Sequence, residues 1–208
     1  MNAPLIETIR VTDGQFHLLD LHRTRMRHAC RELFAAAPPE LNLSTGDIPA
    51  HLRQGTVKCR VIYGREIQSV EFSRYTPRHI DSLRLIHVSD IDYHLKYADR
   101  RKLEEIHNLR EKADEVVIVR DGLITDTSYS NILCRAGNTF LTPAKPLLRG
   151  VMRRELIDRG IAKEAHISPD MLRQGNSMGI TEVFLINAMM PPGTLPPIPI
   201  SRIIHDHS

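Results

Sequence analysis

The chain has 208 residues, 28 Lys and Arg against 25 Asp and Glu, a net charge of +3, 41% hydrophobic residues and no Trp. That length suits one large core or two small ones, the composition is that of a soluble globular protein, and the charge is too mild to point to nucleic acid. No apolar run approaches the roughly 20 residues that span a membrane, and the start of the chain lacks the charged and apolar stretches of a signal peptide, so a cytoplasmic location is expected. Cys30, Cys59 and Cys134 are odd in number and far apart with no CxxC, which reads as three reduced thiols rather than a disulfide framework or a zinc site.

In chain order, residues 5–11 read as a strand, Thr12-Asp13-Gly14 as a hairpin turn and Gln15 to Leu19 as the returning strand. Asp20 is placed to cap a helix to about Ala36, whose apolar stripe is Met26, Ala29, Cys30, Leu33 and Phe34. A second helix is expected near 48–54, then antiparallel strands over 57–63 and 66–75. Residues 83–88 are extended, and a helix is expected from Asp99 to Lys112 with Leu103, Ile106, His107 and Leu109 or Arg110 inward. Strands follow over 115–120, 123–125, 131–135 and 139–141, with Asp121-Gly122 turning between the first two. A helix opens after Gly150 and ends at Gly160, another starts at Ser168-Pro169-Asp170, residues 182–187 form a last apolar strand, and Pro191–Pro199 is an extended connection. His205 and His207 are assigned to a frayed tail.

Several residues could carry chemistry. Lys96, with Arg100 and Arg101 nearby, has the cationic neighbours that favour a neutral, nucleophilic amine, although a solvated surface lysine is the commoner case. Arg23, Arg27 and Arg31 form a solvated row at i,i+4 spacing. Arg25 lies on another row at the edge of the apolar stripe, where its planar fork either reaches inward to an anion or snorkels to the rim. Asp126 follows a turn and either orders that turn or presents a carboxylate to a cationic group. Arg149-Gly150-Val151-Met152 opens a helix, where free N–H groups and the dipole favour phosphate. Ser128 and Ser130 are possible donors, and Arg60 and Tyr63 on one strand are candidates for a substrate carboxylate, with a half-exposed strand face as the plain alternative. There is no GxGxxG motif and no P-loop.

Together these pieces resemble the class IV aminotransferase superfamily, the fold type IV enzymes of pyridoxal phosphate (PLP). The resemblance rests on Glu7-Thr8-Ile9-Arg10-Val11-Thr12-Asp13-Gly14, His22-x-x-Arg25-Met26, Lys96-x-x-Asp99-Arg100, Ala113-Asp114-Glu115, Asp121-Gly122-Leu123-Ile124-Thr125-Asp126, Ser130-Asn131-Ile132, Thr142-Pro143, Gly150-Val151-Met152-Arg153 and Phe184 to Pro191. The last, with Met152, is most similar to the aminodeoxychorismate lyase branch. The resemblance implies an α+β, two-lobed fold, with a small α/β lobe over 1–84, a larger barrel-like lobe over 85–208 and PLP between them. It makes Lys96 the Schiff-base lysine and general base, Arg25 and the N–H groups of Val151 and Met152 the phosphate anchors, and Asp126 the partner of the pyridine nitrogen. Ser130, Asn131, Asn187 and Ala188 complete the cofactor contacts.

The implied reaction releases pyruvate from 4-amino-4-deoxychorismate to give 4-aminobenzoate, a folate precursor. An aminotransferase of a small amino acid and a non-catalytic PLP-binding protein are the alternatives, and a homodimer acting on a small-molecule amine is expected. Two substitutions depart from the family pattern, Asp126 for glutamate and Asp99 for asparagine. The pattern also has strands and a "DRG-x-x-(Y/F)GDG" segment before the hairpin at which this chain begins, so part of the usual active-site wall is expected to be missing.

Overall fold

Leu5, Glu7, Ile9 and Val11 are buried while Thr8, Arg10 and Thr12 are half-buried, so one face of the first strand is turned to a core. A computed structural model describes residues 3–205. Its elements are β1 (Leu5–Thr12), β2 (Gln15–Phe16), α1 (Leu19–Phe34), β3 (Thr56–Tyr63), β4 (Ile67–Arg74), β5 (Leu83–His87), α2 (Arg101–Asn108), β6 (Glu115–Arg120), β7 (Leu123–Ile124), β8 (Asn131–Ala136), β9 (Thr139–Pro143), α3 (Val151–Asp158), β10 (Ala162–Ala165), β11 (Ile180–Ile186), β12 (Ile198–Pro199) and β13 (Ile203–Ile204). The class is α+β, as expected. Among the described residues no helix is long and apolar enough to cross a membrane.

The chain divides into two units: Met1–Thr76 with Leu95–Asp99, and Pro77–His94 with Arg100–Ser208. The boundary expected at 84/85 does not coincide with this division, because residues 95–99 pair with β1. Ile6 N–H donates to Lys96 C=O at 2.9 Å, Ala98 N–H donates to Pro4 C=O at 2.8 Å, and Leu5 bridges Tyr97. Lys96 is thereby carried by the first unit.

The first unit is a four-stranded antiparallel sheet of order β2-β1-β3-β4, with α1 on one face. Asp13 and Gly14 both have positive φ, 49° and 80°, which is the two-residue turn that matches strand twist. The returning strand is shorter than expected. Leu18 adopts a left-handed conformation and caps the helix two residues earlier than Asp20 would, so Asp20 lies in the first turn and pairs with Arg23 rather than capping. Met26, Ala29, Cys30 and Phe34 are buried against Ile9, Val57, Cys59 and Val61, as the apolar stripe anticipated, and His22 joins them. The helix expected near 48–54 is only two single 3-10 turns, at Thr45–Asp47 and Ala50–Leu52, with Pro49 between them.

The second unit contains two sheets, β13-β5-β6-β7 and β10-β9-β8-β11-β12. Val117, Val119 and Ile124 from one and Ile132, Cys134, Val183 and Leu185 from the other share one apolar cluster. Strand β6 is a continuous apolar run, consistent with burial on both faces. Helix α2 stops at Asn108 instead of Lys112, because Glu111 turns left-handed, and of the alternatives Leu109 and Arg110 expected inward, Leu109 is 55% exposed and Arg110 is half-buried. The segment at Ser168 forms only a 3-10 turn, and β10 was not anticipated: its sequence, Ala-Lys-Glu-Ala, has no strand signature, but it pairs in parallel with β9. His205 is half-buried with its Nε2 3.3 Å from the Leu172 carbonyl, not frayed, and His207 lies outside the described residues. All three cysteines are free and buried, Cys30 and Cys59 in the first unit and Cys134 in the second.

Ile118 is fully buried in the middle of β6. Ile118→Ala is expected to cost about 2–5 kcal/mol, read as a lower urea midpoint at unchanged m-value.

Candidate active site

The first unit buries a charge. Glu7 sits on the core face of β1 with no exposed surface, and two side chains of α1 meet it. Arg25 Nε donates to Glu7 Oε1 at 2.9 Å, and Arg25 Nη2 donates to Oε2. His22 Nδ1 lies 2.5 Å from the same Oε2. Burial alone would raise the Glu7 carboxyl, but the Arg25 charge, with hydrogen bonds from His22 and Arg25, outweighs it and brings the pKa down to about 2. His22 is shifted downward, chiefly by its own burial, partly offset by Glu7. The neutral imidazole therefore donates to a carboxylate held ionised by arginine. Arg25 does reach inward, with a side chain only 13% exposed, and the anion it meets in this unit is Glu7. Sequence reasoning missed Glu7 as a site residue. The available signal was an acid in register with Leu5, Ile9 and Val11 on an otherwise apolar face.

Lys96 stands across from Ile6, on the face of β1 opposite to Glu7. Its segment is fixed by this main-chain pairing and by Leu95, buried in the core of the first unit, with Tyr97 packed beside it. Arg60 and Tyr63, read as a pair, fall on opposite faces of β3. Tyr63 is buried in the core, its hydroxyl pKa pushed up by burial, while Arg60 makes a half-exposed ion pair with Glu71 at 3.5 Å. The structure does not bring these two together.

The second unit buries another carboxylate. Asp126 is 5% exposed; its Oδ1 accepts from Asn131 Nδ2 at 2.7 Å and its Oδ2 from the Leu148 N–H at 2.8 Å. Burial pushes it up to about 6, against those two hydrogen bonds and the charge of Arg153. Asn131 Nδ2 also donates to the Leu148 carbonyl at 2.8 Å, so one amide ties β8 to the loop before α3. A Cβ at Gly150 would overlap Asn131 Oδ1, which is why glycine is required there. The first intrahelical bond of α3 is Arg154 N–H to Gly150 C=O, leaving the N–H groups of Val151 and Met152 without intrahelical acceptors.

The remaining expected contacts have structural duties. Asn187 Oδ1 accepts from the Met189 and Met190 N–H groups at 2.9 and 3.0 Å, which folds the turn with Ala188 at its tip, and Nδ2 donates to Ser130 Oγ at 3.1 Å. The Ser128 carbonyl accepts from Arg100 at 2.9 Å, and its hydroxyl lies 3.5 Å from His107 Nδ1, which binds the buried Glu115 at 2.9 Å.

The profile of the amino-transferase class IV family matches residues 4–193. The chain belongs to this family. Class IV aminotransferases use PLP, and this protein is a PLP-dependent enzyme. An uncharacterized protein of Haemophilus influenzae is 30% identical over 188 residues, 89% of this chain and 97% of its own. The crystal structure of a proposed 4-amino-4-deoxychorismate lyase from Haemophilus somnus superposes with a TM-score of 0.79 at 28% identity, covering 92% of this chain and 98% of that one. The PLP-bound form of a hypothetical aminotransferase from Mycobacterium tuberculosis has a TM-score of 0.74 at 18% identity, over 97% of this chain and 81% of its own, a likeness of fold.

The residues present fit the cofactor. A buried carboxylate with each oxygen already anchored, and raised by burial, gains most from a cationic N–H such as a protonated pyridine.

Two outcomes follow. Glu7→Gln leaves the Arg25 charge without its partner and is expected to cost about 3–5 kcal/mol by urea denaturation. Asp126 has a folded pKa above its ordinary 3.8, so its contribution to the stability of the cofactor-free protein is complete below pH 4 and is lost as pH rises through 6. Asp126→Asn should flatten that dependence, since the amide does not titrate, and should weaken PLP binding measured by absorbance titration.

Proposed function

We propose that the protein is a 4-amino-4-deoxychorismate lyase, releasing pyruvate to give 4-aminobenzoate and so serving folate synthesis. The observation that carries the chemistry is the buried, anchored Asp126. The choice of the lyase over an aminotransferase is supported by the Asn187-Ala188-Met189-Met190-Pro191 turn and by the likeness to the Haemophilus somnus protein.

Bound PLP supplies an electron sink for the pair released at the amine-bearing carbon of the substrate. Lys96 would hold the cofactor through its Nζ and, once displaced by the substrate amine, take the proton from that carbon. The released pair expels the enolpyruvyl oxygen, the ring becomes aromatic, and Lys96 Nζ returns the proton to the enolpyruvyl methylene as pyruvate leaves. Asp126 holds a proton on the ring nitrogen. Arg25, its guanidinium fixed by Glu7, and the Val151 and Met152 N–H groups anchor the phosphate.

The test is borohydride reduction of the PLP-loaded protein, with mass mapping of the adduct and a parallel Lys96→Ala sample. The adduct is expected on Lys96 alone. Turnover of 4-amino-4-deoxychorismate should give 4-aminobenzoate and pyruvate in equal amounts. Conversion of the cofactor to its amine form by one of a panel of amino acids, with no 4-aminobenzoate formed, would establish the aminotransferase instead. A protein that takes up no PLP sinks both.

A further inference from the structure

The face of the first sheet opposite to α1 carries an unanswered positive charge. Register places its residues in rows. His17 N–H, just past the end of β2, donates to Arg10 C=O at 2.9 Å, and Arg10 stands opposite Lys58 on β3, so His17, Arg10 and Lys58 form one row. Thr12 is two residues along β1 on the same face, and Thr8 stands opposite Arg60. Arg60 is answered by Glu71, whereas Arg10 and Lys58 have no carboxylate partner among the described residues.

Three atoms here are shielded from water without a hydrogen-bond partner: Arg10 Nε, Thr12 Oγ1 and His17 Nε2. Buried polar atoms in a finished fold are nearly always satisfied. All three of these can donate. Arg Nε–H always does, a hydroxyl rotates to do so, and a neutral imidazole does in its Nε2–H tautomer. Burial lowers Arg10, and burial with the Arg10 charge lowers His17, as expected where a cation and an imidazole meet without an anion. What would complete the row is a group with only acceptors and a negative charge.

We propose that Arg10, assisted by Lys58, Thr12 and His17, binds the carboxylate of the substrate, and that this substrate is a ring amino acid whose carboxylate lies at the far end of the ring from its amine. The distance argument is simple. Lys96 is across from Ile6 on this same face, and Arg10 is four residues farther along β1, roughly 13 Å between Cα positions. The two long side chains shorten that span but do not close it to one carbon. An α-amino acid, with amine and carboxylate on the same carbon, cannot serve both ends; a ring with para substituents can. This inference rests on the lyase reading and selects within it, since the ring of 4-amino-4-deoxychorismate carries its carboxylate para to the amine.

The experiment titrates 4-aminobenzoate, 2-aminobenzoate and the neutral 4-aminobenzamide into the protein, with and without PLP, by calorimetry. The wild type is expected to bind 4-aminobenzoate at least tenfold more tightly than either comparator. Arg10→Gln should abolish that preference while PLP uptake, followed by absorbance, is retained. Thr12→Val, a milder change, should reduce it severalfold, and it serves if Arg10→Gln fails to fold. Equal binding of acid and amide by the wild type overturns the proposal, as does a preference that survives both substitutions. If Arg10→Gln instead weakens PLP and leaves the acid-to-amide preference intact, the row holds the cofactor phosphate and the proposal is wrong. Failure of PLP uptake by the wild type would count against the lyase reading, while the cofactor-free titration would still report on Arg10.

Discussion

A carboxylate buried in an apolar core stays ionised only if the protein supplies compensating charge, and Glu7 has that compensation from one helix. Arg25 and His22 are three residues apart on α1, so both point from one side of the helix at the same acid. Their hydrogen bonds fix the rotation of α1 about its axis and its height along β1 more tightly than the surrounding Met26, Ala29 and Cys30 would alone, since apolar packing tolerates small slides. Arg25 is left with a fixed orientation. An arginine that must meet a phosphate loses less entropy if another carboxylate has already oriented its fork. In the phosphate role proposed for Arg25, that fixed orientation is what the buried Glu7 contributes.

The second unit uses the same device with the opposite balance. Asp126 is anchored by neutral donors, Asn131 and the Leu148 N–H, and burial dominates. Glu7 keeps its charge down to about pH 2, whereas Asp126, with no cation bound, takes up its proton already near pH 6. One acid is paired with a cation within the fold, and the other accepts hydrogen bonds from neutral donors. Gly150 marks how closely this second arrangement is built, because no side chain fits beside Asn131. Asp126 carries one methylene fewer than glutamate would, and Asn131 and Leu148 hold it from behind, so its oxygens sit close to β8 and the loop before α3.

Much of the fold was legible because its signals are local. The Asp13-Gly14 turn, the alternation of β3 and the apolar run of β6 each declare themselves over a few residues. Elements defined by a partner were not. Strand β10 exists because β9 offers an edge, and residues 95–99 belong to the first unit because β1 does. The site divides in the same way. Lys96, Arg25 and Asp126 were visible as residue types in a recognised order. Glu7 was hidden inside a strand motif, and the row proposed around Arg10 could not be seen before register was known, because Lys58 joins it from β3, far from Arg10 in the sequence. Asn187 and Ser130, expected at the cofactor, make hydrogen bonds that shape the turn and loop they occupy, so part of the recognisable motif encodes scaffold.

The three thiols add a consequence of their own. Cys59 and Cys134 are held near 12 by burial, and Cys30 is raised as well, so none presents a thiolate while its core is closed. Cys30 and Cys59 lie in one apolar cluster and Cys134 in the other. Alkylation at each position therefore clocks the opening of its own half of the molecule, giving the protein two built-in timers that can be read in the same tube without adding a label site.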